Sequence, residues 1–260
     1  VKFLQQAYPD LKQVGCFDTA FHRTQNKLAK QFAIPNELTD LGIIRYGFHG
    51  LSYEYIASVI ENKLDIDLSK KIIIAHLGNG ASMCSMENGR SVATTMGFSV
   101  LDGLMMGTRG GSIDPGVLLY LLQEKNYTLE QLSDLLYKKS GLLGVSNLSN
   151  DVQTLLTSDD ANSALAIDLF CYKAATQFGA LAAGMRGCAA LIFTGGIGEN
   201  AVLIREKICN YLYWLGLNLD NKANARNETI LSTPTSKILV ARLPTDEELV
   251  IARHTKLKSI

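Results

Sequence analysis

Hydrophobic positions switch between a period near 3.6 and short unbroken apolar runs, and the switches fall at glycines. Tyr53, Ile56, Ala57 and Ile60 recur at helical spacing and predict an amphipathic helix over residues 50–62. Residues 72–75 are a four-residue apolar run, which predicts a strand. Residues 81–86 and 90–95 read as a hairpin closed across Glu87-Asn88-Gly89, with Asn-Gly supplying the tight turn. Asp114-Pro115-Gly116 opens a helix running to residue 122, where Pro115 costs nothing because its N–H would be unpaired anyway. Thr128 caps a further helix over 128–137, with Leu129, Leu132, Leu135 and Leu136 on one face. Residues 161–184 predict a long, Ala-rich, buried helix, and 189–194 a strand. A helix over 201–215 with Ile204, Ile208, Leu212 and Leu215 as its stripe, a strand over 236–243 and a last helix through 257 complete the chain. Residues 12–17 read as the end of a strand leading into Asp18. This order predicts a mixed α/β fold, with ligands bound where strands end in glycine turns.

Composition narrows the classes. The 260 residues include 25 Lys+Arg and 25 Asp+Glu, a net charge of zero, which argues against a nucleic-acid partner. No apolar run is long enough to predict a membrane span. Cys16, Cys84, Cys171, Cys188 and Cys209 are odd in number and contain no CxxC, as expected of buried thiols in a cytoplasmic protein. His22, His49, His76 and His254 show no metal-ligand spacing, so no protein-built zinc site is expected. The chain opens on Val1, with neither a signal peptide nor an initiator Met; the expectation is a chain that begins inside a longer protein or has been processed.

Three glycine turns carry the chemistry. They are His76-Leu77-Gly78-Asn79-Gly80-Ala81-Ser82, Gly107-Thr108-Arg109-Gly110-Gly111-Ser112 and Thr194-Gly195-Gly196-Ile197-Gly198-Glu199-Asn200. Small residues let a backbone approach an anion and turn its N–H groups toward it. None matches GxxxxGK[ST], and Gly196-Ile197-Gly198 lacks the third glycine of a dinucleotide fingerprint. Together, with Arg109 presented as a permanently charged fork between small neighbours, they point to a polyphosphate site and phosphoryl transfer. Asp18 reads equally as a metal ligand, as a group that positions a nucleophile, or as the N-cap of the next helix. His49 reads as a donor to a phosphoryl oxygen or as a structural histidine. Glu247 and Glu248 fall in the first turn of a helix, where carboxylates are expected in any case.

Six ordered blocks extend the pattern: FDTAFH (17–22), RYGFHG (45–50), HLGNGAS (76–82), the stretch TMGF…LDGLMMGTRGG…DPG (95–116), TGGIGEN (194–200) and PTDEELVIAR (244–253). On these blocks the chain resembles the acetate kinases of the acetate/propionate kinase family, over essentially its whole length and with the C-terminal part of such an enzyme. The resemblance implies an α/β, ribonuclease H-like ATPase domain of the sugar-kinase/actin/Hsp70 superfamily, with a mixed sheet flanked by helices. It implies residues 1–17 as a remnant of an N-terminal domain, 18–245 as a nucleotide-binding and dimerisation domain, and 246–260 as a helix returning toward the N-terminal domain. The implied activity is reversible, in-line phosphorylation of acetate by ATP, giving acetyl phosphate and ADP with Mg²⁺ or Mn²⁺, in a cytoplasmic homodimer. Propionate kinase, or a truncated non-catalytic nucleotide-binding fragment, is the alternative, and the chain alone is expected to make no acyl phosphate.

The resemblance also implies roles residue by residue. Asp18, His49 and Arg109 match the catalytic residues, the last two as stabilisers of the transferring phosphoryl group. His76, Asn79 and Gly80 match the phosphate loop, and Asp151, Gly196, Ile197, Gly198 and Asn200 the nucleotide pocket. Glu247 matches the magnesium-associated carboxylate. Three positions depart from the pattern: Ser112 replaces an acidic residue, Val100 a Pro bordering the acyl pocket, and Gln153 an Arg near the adenine. These leave acyl-chain and nucleotide preference open. The Ala-rich helix over 161–184 and its neighbours are the expected source of dimer area.

Overall fold

A computed structural model describes residues 1–259 of the chain. Its centre is a five-stranded mixed sheet in the order β3-β2-β1-β4-β5. The strands are β1 (Ile72–Leu77), β2 (Ala81–Glu87), β3 (Arg90–Thr94), β4 (Ala190–Thr194) and β5 (Leu239–Arg242). The first three form an antiparallel meander, and β4 and β5 run parallel to β1. Asn88 and Gly89 both take positive φ in the hairpin turn, as the Asn-Gly pair predicts.

The unbroken apolar runs of β1 and β4 are explained by cover on both faces. Ile73, Ala75, Leu77, Leu191 and Phe193 join one core with Phe170, Ala174 and Phe178. Ile72, Ile74, Ala190 and Ile192 join a second with Tyr53, Ile56 and Ile60. The alternation along each strand thus sorts neighbouring residues into different cores.

Nine helices matter to the site: α1 (Gly50–Leu64), α2 (Pro115–Gln123), α3 (Leu129–Lys138), α4 (Gly141–Ser146), α5 (Val152–Leu156), α6 (Ala161–Met185), α7 (Gly195–Asn200), α8 (Val202–Leu212) and α9 (Glu247–Ser259). α1 supplies the second core and α6 the first. Asp114 caps α2 through the Gly116 N–H with Pro115 in its first turn, and Thr128 closes a capping box with Gln131 on α3. α9 lies against α1, where His254 bonds Glu54 at 2.7 Å and Arg253 reaches Ser58.

Several expectations need correction. Residues 12–17 form no strand: among the described residues no ladder partner lies beside them, and Phe17 is 73% exposed. The helix expected over 201–215 is two pieces, with a short helix before it. The third glycine turn itself winds into α7, Ala201 leaves helical geometry, α8 follows, and a 3₁₀ turn over Tyr213–Leu215 ends at left-handed Gly216. Only Leu239–Arg242 of the strand expected over 236–243 joins the sheet, because Lys237 is tied to the Gly216 carbonyl before β5 begins. α6 is not buried all round: its apolar stripe packs on the sheet, while Leu165 and Tyr172 face solvent.

Phe178 fills the centre of the α6 core with no exposed surface. Phe178→Ala is expected to cost about 3–5 kcal/mol of stability, measured by urea unfolding; a loss under about 1 kcal/mol would show that α6 does not hold the sheet.

Candidate active site

β1 and β4 are parallel and end level, with His76 paired to Thr194, so their glycine turns open on one edge of the sheet. The second turn is docked onto the first: Gly107 N–H donates to the Asn79 carbonyl at 2.9 Å. A Cβ on Gly107 would stand 2.0 Å from Asn79 Oδ1, so a larger residue there would have to displace the Asn79 side chain. The expectation that the three turns share one edge therefore holds. Beside them opens a cavity of about 730 Å³, lined by Gly78, Asn79, Asp151, Gln153, Gly196, Ile197 and Asn200 among others. Asn79 Oδ1 accepts a hydrogen bond from the Asn150 side-chain amide at 3.0 Å, and Asn200 donates to the Gly196 carbonyl at 2.9 Å. Asp151 caps α5 by accepting from Thr154. Gly198 lies under the turn rather than on the cavity, against Phe193 and the Ala75 carbonyl.

A second cluster sits at the mouth of the first turn. Asp18 Oδ2 accepts the backbone N–H of His49 at 2.7 Å, and its own carbonyl accepts from Gly50. A Cβ on Gly50 would lie 2.1 Å from that carbonyl, so Gly50 is required for the contact. Asp18 thus braces the start of α1, a helix thirty residues downstream, and not the helical turn that follows it in sequence. His49 is held at φ 58°, a left-handed conformation that histidine tolerates better than most residues.

The His49 ring stacks on His76, centroids 4.3 Å apart. Serines hold both: His49 Nδ1 lies 2.8 Å from Ser82 Oγ and His76 Nδ1 2.8 Å from Ser52 Oγ. His22 is bound at Nδ1 by Ser91 and at Nε2 by the Phe48 carbonyl. Arg109 is anchored through a donation to the Val100 carbonyl at 2.8 Å. Its other tip, Nη2, and His49 Nε2 each lie 3.0 Å from where a Cβ on Gly80 would be. A cation and a ring nitrogen therefore converge over the bare backbone of Gly80. His76, expected in the phosphate loop, stands behind His49 rather than on the cavity.

Burial, then the positive charge of Arg109, pushes His49 down to about 4. Burial and then His49 push His76 down to about 3. His22 falls to about 4, again chiefly by burial. All three are neutral at pH 7, which leaves Arg109 as the charge of the cluster; partial burial lowers its pKa but a guanidinium stays protonated. Burial and then the charge of Asp18 push the Glu247 carboxyl up. Two carboxylates that repel one another across a partly buried gap suit a hard divalent cation, since Mg²⁺ takes one or two carboxylates and completes its shell with waters and phosphate oxygens. No cluster of three or more candidate ligands occurs among the described residues.

Ser112, where the resemblance implies an acidic residue, donates its hydroxyl to Asp102 at 2.7 Å, and Asp102 also pairs with Arg45 at 2.9 Å. Two residues given no role by sequence reasoning support the third turn. Glu199 Oε1 accepts from Gly195 N–H at 3.0 Å and from Thr245 N–H at 3.2 Å, so it ties α7 to the loop that leads to Glu247. Arg205 is fully buried and donates to five neutral oxygens, among them the Gly198 and Glu199 carbonyls at the end of α7. The only hint in sequence is a cation adjoining the Ile204 stripe.

The histidines set a pH dependence. Their folded pKa values lie below the ordinary 6.5, so the unfolded chain takes up protons first as pH falls. Stability is full above about pH 6.5 and is lost toward pH 4, with a slope of about 1.4 kcal/mol per pH unit for each histidine. Urea unfolding at pH 7, 6 and 5 checks this; a stability that stays level over that range would overturn the neutral, buried assignment.

The chain matches the model of the Acetokinase family over residues 1–253. It is 52% identical to an acetate kinase of Rhodopseudomonas palustris strain TIE-1, across 98% of this chain and 65% of the relative, so it spans just under two thirds of that protein's length. Among solved structures it is similar to Porphyromonas gingivalis acetate kinase, with TM-score 0.92 and 38% identity over 98% of this chain and 66% of that one. A propionate kinase from Francisella tularensis is equally near, at TM-score 0.92 and 38% identity over 97% and 66%. The family match and the shared fold, on which the glycine turns and the His49–Arg109 pair are carried, assign this chain to the acetokinase family.

Proposed function

We propose that this chain provides the nucleotide site and the phosphoryl-transfer centre of an ATP-dependent acetate kinase. The observation that carries the reading is the convergence of His49 Nε2 and Arg109 Nη2 above Gly80, next to a cavity sized for a nucleotide. In the reaction a carboxylate oxygen of acetate attacks the γ-phosphorus of ATP in line, and the bond to the ADP oxygen breaks. Acetate is already ionised at neutral pH, so no strong general base is needed. The transition state carries its charge on the equatorial phosphoryl oxygens, and fixed donors there supply most of the catalysis. Arg109 would meet that charge with its guanidinium and His49 with a ring N–H. Asn79 and Gly80 would receive the phosphates, and Asp151, Gly196, Ile197 and Asn200 would line the rest of the nucleotide. Asp18 and Glu247 would hold Mg²⁺, or Mn²⁺, which would supply positive charge to neutralise the phosphates.

The neighbouring propionate kinase keeps propionate open as a second acceptor, with Val100 beside Arg109 as the position to examine. A homodimer fits α2 better than α6. α2 buries none of its residues, and Val117, Leu119 and Tyr120 stand 41%, 54% and 48% exposed. A cytoplasmic setting fits the free cysteines and the absence, among the described residues, of any helix long and apolar enough to cross a membrane.

The test is hydroxylamine trapping of the acyl phosphate, run with acetate and with propionate on the protein that carries this chain. ATP-dependent hydroxamate is expected; none with either acid would overturn the reading. Arg109→Ala should lower kcat by about 10²–10³-fold while the KM for ATP stays nearly constant, because Arg109 acts on charge that develops in transfer. Near-normal kcat with weakened ATP binding would remove its role.

Gly80→Ala should cost no more than about 1 kcal/mol of stability, since the added methyl meets only the His49 and Arg109 side-chain tips, at 3.0 Å each, and those must give slightly. Displacing those tips should lower kcat by about ten-fold; an unchanged kcat would show that the two tips do not form one site.

A further inference from the structure

Tyr53 is fully buried in the first turn of α1, and its hydroxyl bonds Ser82 Oγ. Ser82, also fully buried at the start of β2, in turn bonds His49 Nδ1 at 2.8 Å. The chain Tyr53–Ser82–His49 ends at the nitrogen whose ring partner, Nε2, faces the Arg109 tip over Gly80.

Proton counting decides its direction. The bond to Ser82 is the one hydrogen bond the Tyr53 hydroxyl makes among the described residues. Burial, more than any other influence, holds the Tyr53 phenol well above its ordinary pKa, so it keeps its proton. If Tyr53 donates to Ser82, the single Ser82 proton is free to go to His49 Nδ1, and every donor is used. If Ser82 instead donated to Tyr53, and His49 Nδ1–H to Ser82, the Tyr53 O–H would be buried with no acceptor and its desolvation uncompensated. The first arrangement leaves Nδ1 as an acceptor, so the neutral ring must carry its proton on Nε2.

We infer that Tyr53 and Ser82 are positioning residues that fix His49 in the Nε2–H tautomer, so that the ring presents a hydrogen-bond donor, not a lone pair, to a phosphoryl oxygen held between it and Arg109. The donor role rests on the proposed function; the tautomer does not. A lone pair at Nε2 would repel the same oxygen that Arg109 attracts. The arrangement follows the general rule that the bond made by one ring nitrogen sets the state of the other.

Long-range ¹⁵N–¹H correlation spectra of the full chain, labelled at histidine, read the tautomer directly. His22 is the internal reference, because its Nε2 bonds the Phe48 carbonyl, which only accepts, and so must carry hydrogen. At neutral pH His49 should match that Nε2–H pattern. Tyr53→Phe, which removes only the hydroxyl that bonds Ser82, should bring up a second His49 population protonated at Nδ1, and Ser82→Ala should do the same. A wild-type His49 protonated at Nδ1, or an unchanged His49 spectrum in either variant, would overturn the inference.

Turnover is the blunter readout for these two variants, since a half-populated correct tautomer lowers kcat only about two-fold. The donor role has its own test. His49→Gln places an amide N–H near the Nε2 position and His49→Asn does not, so the Gln variant should retain about ten-fold more kcat. Equal values would refute the donor role while the spectra still decide the tautomer. A protein that phosphorylates neither acetate nor propionate would refute the proposed function and leave the spectral result standing.

Discussion

The parallel pairing of β1 with β4, from Ile72 opposite Ala190 to His76 opposite Thr194, is the constraint from which the site follows. Both strands are largely apolar, with helices over both faces, and they end level at the His76–Thr194 pair. Where they end, the backbone must turn away from a sheet edge already crowded by its neighbour. Gly195, at φ 77° against the Leu77 backbone, permits the turn after β4, and the bare backbone of Gly80 leaves room beneath His49 and Arg109. Gly107, set against Asn79, extends the arrangement to a third segment.

The electrostatics of the cluster are set by what is kept neutral. Three histidines lie within a few residues' width of Arg109 and Asp18, and if all were protonated they would repel Arg109. Burial prevents this, and a serine on each ring holds it in place. The result is one permanent cation on a background of oriented dipoles, which suits stabilisation of an anion whose charge grows during reaction. Near the cluster Asp18 and Glu247 repel one another, which with burial raises the Glu247 carboxyl.

The sheet, the hairpin, α1, α3, α6 and the common edge of the glycine turns were legible because each rests on a local pattern: an apolar run, a helical stripe, an Asn-Gly turn, a capping Thr. Arg109 was legible from its small neighbours. What could not be read joins distant residues. Asp18 offered three local roles, and the one observed in the fold, bracing α1 through His49, depends on a contact across 31 positions. The serine partners of the histidines lie 24 to 69 residues away and leave no periodic trace. α4, α5 and α7 have five or six residues each, too few to show a helical period. Residues 12–17 show the converse failure: a strand-like composition makes no strand without a neighbouring ladder.

Glu199 joins two regions that sequence treats as separate, since one carboxylate oxygen takes the N–H of Gly195 and of Thr245. That shared oxygen sets the position of the loop running to Glu247 against the α7 turn, across 46 positions of sequence. One acidic side chain of the glycine motif thereby acts as a staple between two loops that no backbone ladder joins.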